Sequence, residues 1–194
     1  MSYTPRLLAF AGSTRAESYN KKLVHVAIAG ARAAGAEVTY VDLRDYPLPL
    51  YDGDLEAEHG LPENGRRLKD LMLRHEGLLI ASPEYNSSIT GVLKNTIDWI
   101  SRPVAGEPPL AEFQDKVAAL MSASPGSLGG LRGLVHVRAI LGNLGVLVLP
   151  TQVAIPHADE AFKPDGTLRE PSRQSAVEKL GAQLTEIVAR LHGR

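Results

Sequence analysis

The chain has 194 residues, 44% of them hydrophobic and 22% charged, which is ordinary globular composition and excludes disordered, collagen-like and coiled-coil chains. Lys plus Arg number 21 against 22 for Asp plus Glu, so a net charge of -1 offers no broad basic footprint and we expect no nucleic-acid partner. Cysteine is absent, which removes disulfides, thiolate zinc sites, iron–sulfur clusters and cysteine nucleophiles and leaves any redox chemistry to a bound cofactor.

Short apolar runs alternate with segments of helical period, the pattern of a parallel sheet covered by crossover helices. Leu7 to Ala11 reads as a first strand ended by Gly12. It is too short for the hydrophobic region of a signal peptide, from which we expect a cytoplasmic protein. A helix follows over Tyr19 to Ala34, with Leu23, Val24, Ala27, Ile28 and Ala31 on one face and Gly35 as its stop. Val38 to Leu43 is a second strand. Asp45 to Asn64 carries Pro and Gly and reads mostly as a long loop, with Asp52 and Asp54 solvated. Arg66 to His75 is a short helix, and Leu78 to Ala81 a third strand stopped by Ser82-Pro83. Thr90 to Ile100 is the next helix, with Leu93, Ile97 and Ile100 inward and Pro103 beyond its end.

Val117 to Met121 is a fourth strand, and Ser122 to Gly130 a Ser/Gly-rich loop opening a fourth helix. Leu131, Leu134, Val135, Val137 and Ile140 surround more of that helix than one buried face needs, which predicts a second apolar contact. Gly145 to Leu149 is a fifth strand, and Ser172 to Leu191 a strongly periodic last helix. The longest uncharged stretch, Ile140 to Pro156, is broken by Asn143, Pro150 and Gln152 and falls short of the ~20 apolar residues of a membrane span, so no membrane association is expected. The alternation predicts one α/β domain over residues 1–194, a doubly wound parallel sheet of five strands. Periodicity does not yield the strand order.

In such sheets ligands bind beyond the carboxyl ends of the strands, which directs attention to the loops after strands one, three and four. The first, Gly12 to Asn20, opens a helix whose free N–H groups and positive dipole end attract an anion. Ser13, Ser18 and Asn20 add neutral donors there, and Arg15 a fork suited to phosphate oxygens. Ser18 as a plain N-cap and Arg15 as a solvated charge are the simpler alternatives. No two glycines lie two positions apart, so the G-x-G-x-x-G fingerprint is absent, as are the G-x-x-x-x-G-K-[ST] loop and the G-x-S-x-G elbow. A loop lined by side chains, with few glycines, fits a terminal monophosphate better than a bridging pyrophosphate.

The second loop, Ser82 to Ser88, could hold a flat heteroaromatic ring near Tyr85, or be a tight turn with Ser87 or Ser88 as N-cap. The third, Ser122 to Gly130, permits close approach of a ring or a partner chain, and a plain flexible loop would look the same. The six histidines show neither H-x-x-x-H nor H-E-x-x-H spacing, so no metal site is expected. Receiver-type signalling domains share the alternation but need acidic residues where this chain has Phe10-Ala11-Gly12 and Ala81-Ser82-Pro83.

The stretch Gly12-Ser13-x-Arg15-x-x-Ser18-x-Asn20 resembles the FMN phosphate loop of the NAD(P)H-dependent FMN reductases, a flavodoxin-like family that includes quinone, azo-dye and chromate reductases. Pro83-Glu84-Tyr85-Asn86-x-Ser88-x-x-Gly91-x-Leu93-Lys94-Asn95-x-x-Asp98-Trp99 resembles that family's isoalloxazine loop and following helix. The likeness spans about residues 5 to 150. It implies a sheet order of 2-1-3-4-5 and FMN lying across the three loops. By position, Ser13, Arg15, Ser18 and Asn20 would hold the phosphate, and Pro83, Glu84, Tyr85, Asn86 and Ser87 the ring edge. Ser122, Ser124 and Gly126 would meet the pyrimidine side or the ribityl chain.

The implied activity passes a hydride from NADPH or NADH through FMN to a small-molecule acceptor: a quinone, a flavin, an azo compound or a metal oxyanion. The chemistry would sit at the flavin, with no catalytic side chain of its own. A homodimer or a dimer of dimers is implied as well. The alternative is a flavodoxin-type electron carrier, but those are typically more acidic and use a Thr-rich phosphate loop, and this chain has neither feature.

Overall fold

A computed structural model describes residues 3–193. Five strands, β1 (Arg6–Ala11), β2 (Glu37–Asp42), β3 (Gly77–Ala81), β4 (Val117–Ala123) and β5 (Leu147–Ile155), form one parallel sheet in the order 2-1-3-4-5. That is the flavodoxin-like arrangement, and its reversal of direction falls between β1 and β3. Every residue of β3 and β4 is buried, which is why these strands read as unbroken apolar runs.

Side chains alternate between two cores. Leu7, Ala9, Ala11, Leu79 and Ala81 face one side, where α1 (Tyr19–Ala33) and α7 (Pro171–His192) lie. Leu8, Phe10, Leu78 and Ile80 face the other, covered by α3 (Glu63–Leu73), α4 (Gly91–Ile100) and α5 (Leu131–Asn143). The first pair of helices packs backbone to backbone. A Cβ on Gly181 would lie 2.1 Å from the carbonyl oxygen of Ala27, and one on Gly30 2.0 Å from that of Glu178.

Three expectations are corrected. The segment 45–64 is not mostly loop: a 3₁₀ turn (Leu43–Asp45) is followed by α2 (Gly53–His59), and α3 starts at Glu63 rather than Arg66. No residue of α2 is buried, so it carries no apolar periodicity to betray it; Asp52 caps it, accepting from the Asp54 N–H at 2.8 Å. The fifth strand runs to Ile155, through Pro150. Between the pairs Ala118–Val148 and Leu120–Gln152 the register slips by two residues, and β5 is an edge strand, so a proline without an N–H is tolerated. A four-residue helix, α6 (Ala158–Ala161), was not foreseen. Among the described residues no helix is long and apolar enough to cross a membrane.

Candidate functional site

The loop between β1 and α1 is fixed at its start. Gly12 donates to the Ala81 carbonyl at 2.9 Å, its own carbonyl accepts from the Thr90 hydroxyl at 2.6 Å, and a Cβ there would meet the Leu93 side chain at 3.0 Å. β1, β3 and α4 are thus locked together beneath the loop. Ser13 and Ser18 are each only 4% exposed. The Ser13 hydroxyl accepts from the Arg15 N–H at 3.3 Å. Ser18 occupies the N-cap of α1 in extended conformation, yet its side chain makes no capping hydrogen bond. The first N–H groups of α1 therefore lack the partner that an N-cap serine usually supplies. A phosphate would supply it, so this end of the site fits the anionic end of a mononucleotide.

Arg15 lies beside that terminus. Its Nε donates to the Glu17 carbonyl at 3.1 Å, and its guanidinium stacks 5.2 Å above the Tyr19 ring. Asn20 is engaged elsewhere: its Nδ2 donates to the Ala123 carbonyl at 2.8 Å and its Oδ1 accepts from the Ala123 N–H at 3.0 Å. One amide hydrogen remains for a ligand. The same side chain therefore rivets the start of α1 to the end of β4.

The loop after β3 makes a reversed turn. Tyr85 and Ser88 exchange backbone hydrogen bonds of 2.9 and 3.0 Å, and the intervening Asn86 and Ser87 have φ of 50° and 65°. Left-handed conformations at residues other than glycine cost roughly 1–2 kcal/mol each and need enforcement by their surroundings. Tyr85 is 57% exposed. Glu84 turns away toward α5: Oε1 accepts from the Arg132 Nε at 2.8 Å, and Oε2 from the Gly133 N–H at 3.0 Å. Burial opposes its charge, but these donors more than offset that and hold the carboxyl below its usual range.

The fourth strand runs to Ala123 rather than Met121, so Ser122 lies in β4 and not in the loop; it is fully buried, with its hydroxyl on the Gly129 carbonyl at 2.7 Å. Gly129 and Gly130 have φ of 62° and 90°, and a Cβ on Gly130 would fall 2.8 Å from that of Ser122. Both features fold the loop back onto its strand. The Ser124 backbone is tied to the end of β5 and the start of α6, its N–H donating to the Ile155 carbonyl and its carbonyl accepting from the Ala158 N–H, each at 3.1 Å.

The three loops enclose a cavity of about 120 Å³. Ser13, Arg15 and Ser18 line it from the first loop and Asn20 from the start of α1, Pro83, Glu84 and Tyr85 from the second loop, and Ser124 from the third. Ser122 does not, being buried beneath the loop. Asn86, Ser87 and Gly126 also lie outside the lining. Tyr19, Ala123 and Pro125 were missed. Tyr19, at the first helical position between Ser18 and Asn20, was the one with a signal; it stacks on Phe162 at 6.2 Å. The volume is below the ~300–1,000 Å³ of sites that engulf a ligand. It suits a phosphate and the chain leading from it, and a tricyclic ring would extend over the exposed face of the second loop. Among the described residues, no three or more His, Cys, Asp or Glu are grouped to hold a metal ion.

Residues 5–160 match the protein family described as NADPH-dependent FMN reductase. An NAD(P)H-dependent FMN reductase of Pseudomonas aeruginosa is 36% identical over 194 residues, covering 100% of both chains. A quinone reductase of Pseudomonas putida is 34% identical over 174 residues, covering 89% of each. Among solved structures, the flavoenzyme NAD(P)H:(acceptor) oxidoreductase FerB of Paracoccus denitrificans superposes with a TM-score of 0.80 at 27% identity, covering 98% of this chain and 100% of that one.

Proposed function

The chain belongs to the NADPH-dependent FMN reductase family, and from that premise we propose that it is an oxidoreductase using NADPH or NADH and bound FMN to reduce small quinones. When bound, FMN supplies the redox chemistry, accepting a hydride from the nicotinamide and passing electrons to the acceptor. The observation that carries the reading is the meeting of an uncapped helix N-terminus, at Ser18, with the exposed Tyr85 turn across one small cavity at the sheet's reversal point. Ser13, Ser18, the remaining Asn20 hydrogen and a re-aimed Arg15 would hold the phosphate. Backbone groups of residues 83–87 would meet the ring edge, and Ser124 the chain between.

The rest of the protein's work is placement. No histidine–carboxylate pair lines the cavity, and the Glu84 carboxylate is already held by Arg132 and Gly133. The pocket thus binds and orients without moving a proton. A quinone, flat and uncharged, suits the exposed aromatic surface at Tyr85, and the names of relatives support that acceptor class over azo compounds and metal oxyanions.

The same reading extends to assembly in the cytoplasm as a homodimer or dimer of dimers. On α5, Leu134, Val137 and Leu141 are buried, while Leu131 is 43% exposed and Val135 59%, leaving an apolar outer face.

Reconstituting the purified protein with FMN, then following NADH and NADPH oxidation with and without p-benzoquinone, tests the function. One FMN per chain and quinone-dependent turnover are expected. Flavin binding without pyridine nucleotide oxidation would indicate the electron carrier instead, and uptake of FAD but not FMN would overturn the monophosphate argument. A clean monomer by light scattering at micromolar concentration would remove the assembly claim.

A further inference from the structure

The turn after β3 is gripped from α5 at two points. At the first, the Glu84 side chain, 7% exposed, is shared between the Arg132 guanidinium, 2.8 and 2.5 Å from Oε1, and the Gly133 N–H, 3.0 Å from Oε2. At the second, His136 Nδ1 lies 2.8 Å from the Ser88 hydroxyl. The surfaces between are in contact. A Cβ on Gly133 would stand 3.2 Å from the Ser88 carbonyl oxygen and 3.4 Å from the Glu84 Cβ. Asn86 and Ser87, the two left-handed residues, fall between these ties. Such a turn persists only where its neighbours over-determine it, and α5 provides that restraint.

We propose that the Glu84 side chain has a positioning role: held by Arg132 and Gly133, it keeps the Tyr85–Ser88 turn in the shape that receives the flavin ring, and its carboxylate does not itself contact the flavin. The proposal rests on the flavin reading of the site. Each of its oxygens already has a donor, and its charge is compensated by an adjacent guanidinium, so its influence on a bound ring passes through geometry. The first turn of α5 thereby becomes part of the binding site without lining the cavity. A shift of that helix, whose Leu131 and Val135 face outward, would be felt by the turn.

The test compares Glu84→Gln, Arg132→Met and the double variant. Glutamine sets its NH₂ against either the Gly133 N–H or the guanidinium, donor against donor. Once Arg132→Met has removed the guanidinium, the glutamine amide can give its oxygen to the Gly133 N–H and leave its NH₂ in the space thus freed.

FMN affinity is therefore expected to fall about tenfold in Glu84→Gln and to recover to within about threefold of wild type in the double variant. The absorption maximum of the bound flavin should shift and return in step. In the flavin-free proteins, amide exchange of the peptide spanning 84–90 should rise about fivefold in Glu84→Gln and fall again in the double variant. Wild-type affinity and exchange in Glu84→Gln would overturn the proposal. So would lost affinity with unchanged exchange and no recovery, which would make Glu84 a direct ligand. If the wild type takes up no FMN, the flavin reading fails, and the exchange data still decide whether Glu84 restrains the turn. Should Glu84→Gln not fold, Arg132→Met alone should show the exchange effect in weaker form, and no effect there would refute it.

Discussion

Replacing Asn20 by alanine separates a rivet from a ligand. The side chain is 3% exposed and makes a two-way bridge to Ala123, which is 103 positions away in the chain. Removing it orphans a backbone N–H and a C=O, each costing roughly 1–3 kcal/mol when water cannot replace the partner. Ala123 lines the cavity, so water reaches part of the gap, and a loss of about 2–4 kcal/mol in the flavin-free protein is expected. At about 2–4 °C per kcal/mol for a chain of this size, the melting temperature should fall by roughly 5–15 °C. Urea titration of flavin-free wild type and variant measures the loss directly. Asn20→Asp keeps the acceptor for the Ala123 N–H but sets a carboxylate beside the proposed phosphate, so it should bind FMN more weakly than the alanine variant. An unchanged urea midpoint in Asn20→Ala, together with lost FMN binding, would refute the rivet and make Asn20 a ligand only.

Arg15→Ala should weaken FMN binding about tenfold to a hundredfold without unfolding the domain; equal affinity by flavin fluorescence titration would mean that the guanidinium stays on the Glu17 carbonyl. Gly181→Ala forces a Cβ to within 2.1 Å of the Ala27 carbonyl oxygen and should destabilise the α1–α7 contact by at least ~1–3 kcal/mol, measured by urea titration; a neutral result would show that the helices separate freely. Burial pushes the His75 imidazole below its usual pKa, although the Leu71 carbonyl pulls the other way, so the unfolded chain takes up a proton before the folded one does. His75 should thus contribute stability above about pH 6.5 that is lost as pH falls toward its folded pKa, and the decline between pH 7 and about 5 should be shallower in His75→Gln; superimposable profiles would remove the claim. Tyr85→Phe deletes a hydroxyl from an exposed ring and should keep stopped-flow flavin reduction within about tenfold; a thousandfold loss with FMN bound would place the hydroxyl in the transition state.

The sheet was legible because β1, β3 and β4 are covered on both faces and so appear as short runs of apolar residues bounded by glycine, serine or proline. Their order was legible only through the family likeness, which implies the observed 2-1-3-4-5, since neighbours such as Leu8 and Leu78 meet across a register that no local pattern encodes. α2 escaped because nothing on it is buried, and the end of β5 because a proline at an edge looks like a proline at a stop. At the site, the loops could be located from their place after strands, while the direction of each side chain could not. Ser122 and Ser124 are two positions apart where β4 gives way to its loop, yet one is in the strand and holds the loop down while the other faces the cavity. Glu84 entered the expected site only by its position in the ring-edge segment that the family likeness implies; the placement of Arg132 and Gly133, contributed by a helix nearly fifty residues later, shows where its oxygens go.

Open sheets invite polymerisation, because a foreign strand can extend the ladder along any long, flat margin. The β5 margin of this protein offers poor purchase. Pro150 presents no N–H midway along it, and the two-residue slip against β4 bends the remaining donors and acceptors out of line. Growth by strand addition is thereby disfavoured at this end of the molecule.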